Sequence, residues 1–381
     1  MVWRTSIGGD YKLPNTPITL TGDFLYTRDI NAVFQFGANR ASSNTFLDYG
    51  RSGEEGDYGD NRTFYPDGVQ RFNPAIGANN VTVLTNTNVK GHALSATVGL
   101  TVPFHQGFSG GVFYTYSDAR EVSANAGSSA ASAWGGSPNI NGPNDQILHP
   151  SNFAIPHRVV ANLSYRFEYA NALATTVGVV YTGSSQGRFS YTYTTDINRD
   201  GINNNLIYLP RDLNALNFAD RVNANGDVLF TAEEQVEALR VFIARNGLEK
   251  YMGQYLPRNG FLLPWLNRFD VRILQDVYTN IGARKHALQV SLDFINFGNL
   301  LSRNAGIRSR LNDAQFLFGN HSVPGVNNQG QSVLNTVPTP ANGIPTFNMN
   351  LIEGQLPTTP FQNVSTTATT WQMMFGVRYL F

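Results

Sequence analysis

Cysteine is absent from this 381-residue chain. A disulfide scaffold and a cysteine-ligated metal centre are therefore excluded. Charge is scarce too: 14% of residues are Asp, Glu, Lys or Arg, against about 25% in soluble domains. The 27 basic residues balance 27 acidic ones. With no basic excess to neutralise phosphates, nucleic acid is not an expected partner. No apolar run reaches the ~18 residues that a membrane helix needs. The chain also has no G-x-S-x-G, Walker or H-E-x-x-H motif, so it is not expected to be an enzyme. Its histidines (His92, His105, His149, His157, His286 and His321) are dispersed, which disfavours a histidine metal site. The amino-terminal MVWRTSIGGDYKL lacks the apolar core of a secretory signal. Taken alone that points to the cytoplasm, but the rest of the chain argues otherwise.

What the chain does contain is 36 glycines, 41% apolar residues and 12% aromatics, enough apolar surface to exclude disorder. The dominant pattern is alternation with period two, which gives an extended strand two different faces. At the carboxyl end Trp371, Met373, Phe375, Val377, Tyr379 and Phe381 alternate with Gln372, Gly376 and Arg378. Leu288, Val290, Leu292 and Phe294 oppose Gln289, Ser291 and Asp293. Phe269, Val271, Ile273 and Val277 oppose Arg268, Asp270, Arg272 and Asp276. Val159, Ala161, Leu163, Tyr165 and Phe167 face away from Asn162, Ser164, Arg166 and Glu168, and the segments 94–102, 18–26 and 3–12 alternate likewise.

A soluble sandwich would also alternate, so the connections carry more weight. Short turns near Pro14–Pro17, His105–Gly107, Tyr169–Asn171 and Gly282–Lys285 take turns with polar excursions over roughly 37–78, 120–155, 195–264 and 298–368. All the long connections then lie at one end of the strands. That asymmetry is the mark of a transmembrane β-barrel with short periplasmic turns and long outer loops. Lipid offers backbone groups no hydrogen bond, so irregular segments belong outside it. Aromatics gather at the expected strand ends, including Trp3, Tyr11, Tyr114, Tyr116, Tyr169, Tyr278 and Trp371, as interfacial belts do. The expected fold is all-β, with antiparallel strands at 1–13, 17–36, 79–103, 107–119, 156–168, 172–194, 266–280, 285–297 and 369–381. These are about nine strands of a partial barrel, since intact bacterial barrels have an even number; a further strand near Phe347–Ile352 would change the parity. The charged face (Arg4, Asp10, Lys12, Arg166, Glu168, Arg268, Asp270, Arg272, Asp293 and Arg378) is expected to line the lumen.

Several stretches, in order, resemble the carboxyl-terminal barrel of TonB-dependent receptors of the Oar-like group. They are NTNVKG at 86–91, PHRVVANL at 156–163, YTGSSQGRFSYTYTTDINRDGINNNLIYLP at 181–210, PWLNRFDVRILQ at 264–275, LDFINFGNL at 292–300 and the final WQMMFGVRYLF. The resemblance implies the outer membrane of a Gram-negative cell. It also implies a receptor that imports a bound ligand with energy delivered through the TonB complex, and a plug domain that the charged face would contact. On this basis residues 1–381 are the downstream portion of a larger receptor, with the plug and the first strands absent. Trp371, Phe375, Tyr379 and the terminal Phe381 look like the signal read by the barrel-assembly machinery; an ordinary belt strand is the plainer account.

Asp196, Asn198, Asp200 and Gly201 form D-x-N-x-D-G, whose alternate oxygens and permissive turn suit calcium in an extracellular loop. Ile207 stands where an EF-hand places its bidentate Glu, and Asn, Asp and Gly are also ordinary turn residues. No other cofactor is expected. NANGD at 223–227 is a weaker copy of the pattern. Thr231 and Glu234 predict a capping box opening a short helix to about Asn246, with Val236, Leu239, Phe242 and Ile243 as its apolar stripe. Glu54, Glu55, Asp57 and Asp60 lie in a Gly-rich segment and are expected to be solvated. Two rivals to the receptor are a passive outer-membrane pore or adhesin barrel and a secreted carbohydrate-binding β-sandwich.

Overall fold

The computed structural model describes the chain apart from residues 42–44, 47–58, 66–69, 78, 125–126, 282–283, 312–313, 321–322, 327–331 and 336–344. Its main sheet contains β1 (Val2–Lys12), β2 (Thr19–Asp29), β3 (His92–His105), β4 (Phe108–Glu121), β5 (His157–Tyr169), β6 (Leu173–Ser185), β7 (Trp265–Ile281), β8 (Arg284–Ile295) and β9 (Gln372–Leu380). Sequence neighbours are sheet neighbours and every pairing is antiparallel. The short segment His149–Pro150 adds a tenth strand at the end of β4. β1 and β9 are the two ends of this path, and among the described residues they do not pair with each other.

The nine expected strands are found, with three trimmed. β2 stops at Asp29 because the N–H groups of Ile30 and Asn31 turn to the carbonyl of Met1. Beyond that point Ala32–Gly37 pairs with Thr82–Thr87 as a separate ribbon. β6 ends at Ser185, where Gly187 takes φ +145°, and the chain from Arg188 enters the loops. The segment Thr346–Met349 is a strand, but it pairs with Leu317–Asn320 among the loops.

Turn chemistry fixes the short connections. Gln106 and Gly107 both take positive φ, +50° and +90°, as a two-residue hairpin turn demands. A side chain at Gly107 would meet the carbonyl of Arg166 at 2.6 Å. Just before this turn the register shifts between Val102 and His105, at Pro103, which has no N–H to give to the ladder. Ala170 and Asn171 reverse the chain between β5 and β6 with φ +52° and +53°. The expected turn at Gly282–Lys285 falls partly outside the described residues.

Register then turns alternation into rows. Tyr11, Leu20, Leu100, Val112, Ala161, Tyr181 and Phe269 are successive cross-strand partners over seven strands. Tyr165, Val177, Ile273, Leu292 and Phe375 form another row over the last five. Among the described residues no apolar side chain of this face is buried: the buried apolar residues of the nine strands are Ala174 and Ala287, which lie on the opposite face.

The hydrophobic core lies instead among the long connections. Phe189, Tyr191, Ile197, Ile207, Leu209, Leu239, Phe242, Phe316 and Phe347 belong to one buried cluster. Into it the helix Ala232–Arg245 packs Leu239, Phe242 and Ile243. The helix opens on the expected box, Thr231 accepting from the N–H of Glu234 and Glu234 accepting from that of Thr231.

Candidate functional site

The polar face carries a chain of charge-assisted hydrogen bonds. Arg166 Nη1 donates to Asp276 Oδ2 at 2.9 Å, and its Nη2 donates to Tyr278 Oη at 2.6 Å and to Glu168 Oε1 at 3.3 Å. Tyr278 and Gln289 also donate to Asp276, at 3.0 and 2.8 Å. Arg268 holds Asp270 with both arms of its fork, at 3.0 and 3.2 Å, and Asp270 accepts the N–H of Asn296 at 2.7 Å. Arg272 pairs with Asp293 of the next strand. Arg378 faces Gln289 in the register and is exposed. The sheet therefore brings Arg166 and Glu168 together, Arg268 with Asp270, and Arg272 with Asp293, all on the face opposite the apolar rows. Asp276 is the hub of the group, and alternation alone could not rank it above its neighbours.

Beyond one end of the sheet, residues 190–206 tie the long connections together. Tyr65 donates its N–H to Asn198 O at 3.0 Å, Leu206 to Asn139 O at 2.8 Å, and Thr194 to Leu317 O at 3.2 Å. The D-x-N-x-D-G loop sits inside this junction. Asp196 accepts the N–H groups of Asp200 at 3.0 Å and Gly201 at 2.6 Å, and Asp200 accepts that of Ile202 at 2.8 Å. Gly201, at φ +88°, makes the turn. Burial, with Asp200 beside it, pushes the Asp196 carboxyl up to about 7. Asn198 and Asp200 are fully buried, and Asn198 Oδ1 has no hydrogen-bond partner.

The cation facing Asp200 is a residue of this chain. Arg40 Nη2 lies 2.5 Å from Asp200 Oδ2, and its guanidinium also sits 5.4 Å from the ring of Tyr65 and 5.9 Å from that of Trp134. Among the described residues no three His, Asp or Glu side chains converge as metal ligands. A calcium ion here would have Asp196, Asp200 and Asn198 Oδ1 to draw on, in competition with Arg40. A lone arginine some 160 positions away in sequence carries no local signal, so it escaped the motif.

Asp60 departs from expectation. It is buried, not solvated, and pairs at 2.8 Å with an Arg62 that is wholly enclosed. Arg62 lies over the rings of Tyr193 and Tyr255, and Tyr255 Oη donates to Asp60 at 2.8 Å. The aromatic surroundings exclude water, so the carboxylate can be held there only with its cation. Glu54, Glu55 and Asp57 lie outside the described residues.

Trp371, Phe375, Tyr379 and Phe381 are exposed on the apolar face at one edge of the sheet. Tyr379 is stacked on His286 of β8, with Oη 2.6 Å from Nδ1. Trp3, Trp265 and Trp371 all stand at the long-connection ends of their strands and are exposed, while Tyr11, Phe108, Tyr169 and Phe381 collect at the short-turn ends. The chain was compared with family models, curated proteins and solved structures, and nothing matches in any of the three.

Proposed function

We propose that lipid of a Gram-negative outer membrane solvates the apolar face of this sheet. On this proposal the nine strands are the downstream part of the barrel of a TonB-dependent receptor, Oar-like in type. The observation that carries this is an apolar face with no buried side chain among the described residues, set against an ion-paired opposite face. Each Leu, Val or Phe left in water forgoes roughly 1.5–3 kcal/mol of burial, and rows of them across seven strands would drive aggregation. Hydrocarbon removes that penalty and leaves the charged face to a lumen. Strands of 9 to 17 residues meet the ~9–11 that a tilted bilayer crossing requires. The tryptophans at one rim and the Tyr and Phe side chains at the other match the two interfacial belts. The open path from β1 to β9 calls for further strands to close it.

In the intact receptor the long connections would meet the ligand, the charged face would contact the plug, and TonB would deliver the energy. The terminal strand would be read by the assembly machinery. A sandwich needs a second sheet over the apolar rows, and among the described residues none packs there.

The test places the chain in vesicles whose acyl chains carry bromine near the headgroup. Trp3, Trp265 and Trp371 should be quenched, and Trp134, 2% exposed among the loops, should be spared. A monodisperse monomer in detergent-free buffer would end the membrane assignment. A steady ungated conductance in planar bilayers would favour the passive pore.

A further inference from the structure

Where the long connections converge above β4–β7 they form a partly open cavity of about 320 Å³. Two arginines line it, Arg188 just past the end of β6 and Arg258 shortly before β7; among the described residues no Asp or Glu does. Arg258 is 6% exposed, and among the described residues its guanidinium makes one hydrogen bond, Nη2 to Ser137 Oγ at 3.5 Å. Arg188 donates Nη1 to the carbonyl of Asn259 at 3.1 Å. The Nε of each arginine is buried without a partner. Among the described residues no carboxylate lies within ion-pair distance of either one. Glu121 and Asp118 act on them only at longer range.

A buried guanidinium is costly unless an anion and hydrogen-bond acceptors meet it. Here a buried Arg258 and a half-buried Arg188 share a cavity whose remaining polar lining includes Ser137, Ser190, Asn204 and Asn259. Burial lowers both guanidinium groups from their usual range, as expected of cations that lack a close counter-charge. The cavity falls at the small end of ligand sites, ~300–1,000 Å³, and the planar fork of arginine matches the oxygens of a carboxylate or a phosphate.

We propose that this cavity binds the carboxylate or phosphate group of a small solute, with Arg188 and Arg258 as its two cationic walls. Taking that solute to be the imported ligand rests on the receptor assignment; the anion site itself does not.

Calorimetric titration of inorganic phosphate into the full chain in detergent micelles tests it. One saturable site is expected, weakened at least tenfold in both Arg258→Gln and Arg188→Gln, with Arg188→Lys between wild type and Arg188→Gln because the charge stays and the fork is lost. The thermal midpoint without phosphate reports whether each variant folds. Should Arg258→Gln fail to fold, the less buried Arg188 carries the test. Succinate is titrated in parallel: displacement of phosphate supports a shared oxyanion site, binding of phosphate alone a phosphoryl group, and binding of succinate alone a carboxylate. Absence of saturable binding by both, or binding unchanged in the arginine variants, overturns the proposal. An anion site in a chain that stays monomeric without detergent would sink the receptor and spare the cavity. Membrane insertion with no anion binding would do the reverse.

Discussion

Arg166 on β5 reaches Asp276 on β7 across an intervening strand, at 2.9 Å. The residue of β6 in register with Asp276 is Ala174, whose side chain is fully buried and too short to obstruct the pair. This ion pair locks three strands in one alignment, because a one-residue slip would send Asp276 to the apolar face.

Arg166→Met should therefore destabilise the sheet by about 1–3 kcal/mol, the range for losing hydrogen bonds to a charged group. Asp276 would keep Tyr278 and Gln289 but lose its cation. Arg272→Met, whose arginine is 59% exposed, should cost about 0–1 kcal/mol. Urea midpoints of the two variants in micelles check the ranking, and equal losses would contradict it.

Val177 sits mid-strand in the row Tyr165, Val177, Ile273, Leu292 and Phe375. In a bilayer Val177→Arg should cost roughly 2–4 kcal/mol, the penalty for a cation at the midplane. Ser164→Arg, on the charged face, should be nearly neutral. The readout is unfolding from lipid vesicles. If the two substitutions cost the same, the face carrying Val177 is not in hydrocarbon.

Much of the sheet was legible because its signal is local. A strand such as Leu288–Phe294 declares both faces within a few residues, and its partner Trp265–Ile281 immediately precedes it in sequence. The helix at 232–245 was legible for the same reason, since Thr231 and Glu234 mark its start. The loops were not. Arg40 with Asp200, and Tyr255 with Asp60, meet across long stretches of chain through tertiary packing alone. Asp60 reads as solvated because it follows Gly59 and the acids Glu54, Glu55 and Asp57, whereas its pairing with Arg62 and Tyr255 is set by the fold. The strand ends at Asp29 and Ser185 were overrun because alternation continues past the points where the hydrogen-bond partner changes.

Arg40 stands in for a cation beside Asp200, so wild-type protein should gain little thermal stability from millimolar calcium. Arg40→Gln leaves Asp196, Asp200 and the unpartnered Asn198 Oδ1 without that charge. The variant should be destabilised in chelator and recover several degrees on adding calcium, and magnesium should recover less, because it sheds its water reluctantly. Melting curves with calcium, magnesium and chelator decide it. A wild type that itself depends on calcium would show that the ion displaces Arg40.

His149 lies at the end of β4, beside Arg258 and Asp145. Burial, then the charge of Arg258, lowers its pKa from 6.5 to about 4. The folded state thus holds a neutral imidazole at pH values where the unfolded chain takes up a proton. Stability from this group is complete above pH 6.5, is lost as pH falls toward 4, and levels off below that. Burial raises the carboxyl of Asp145, which acts with the opposite sign: its contribution weakens as pH rises above 3.8. The difference between wild type and His149→Gln isolates the histidine, since Asp145 is common to both. The melting midpoint followed by Trp134 fluorescence should fall between pH 6.5 and 4.5 more steeply in wild type than in the variant. Parallel pH profiles would mean that His149 takes up its proton at the same pH in the folded and the unfolded chain, against the lowering by burial and Arg258.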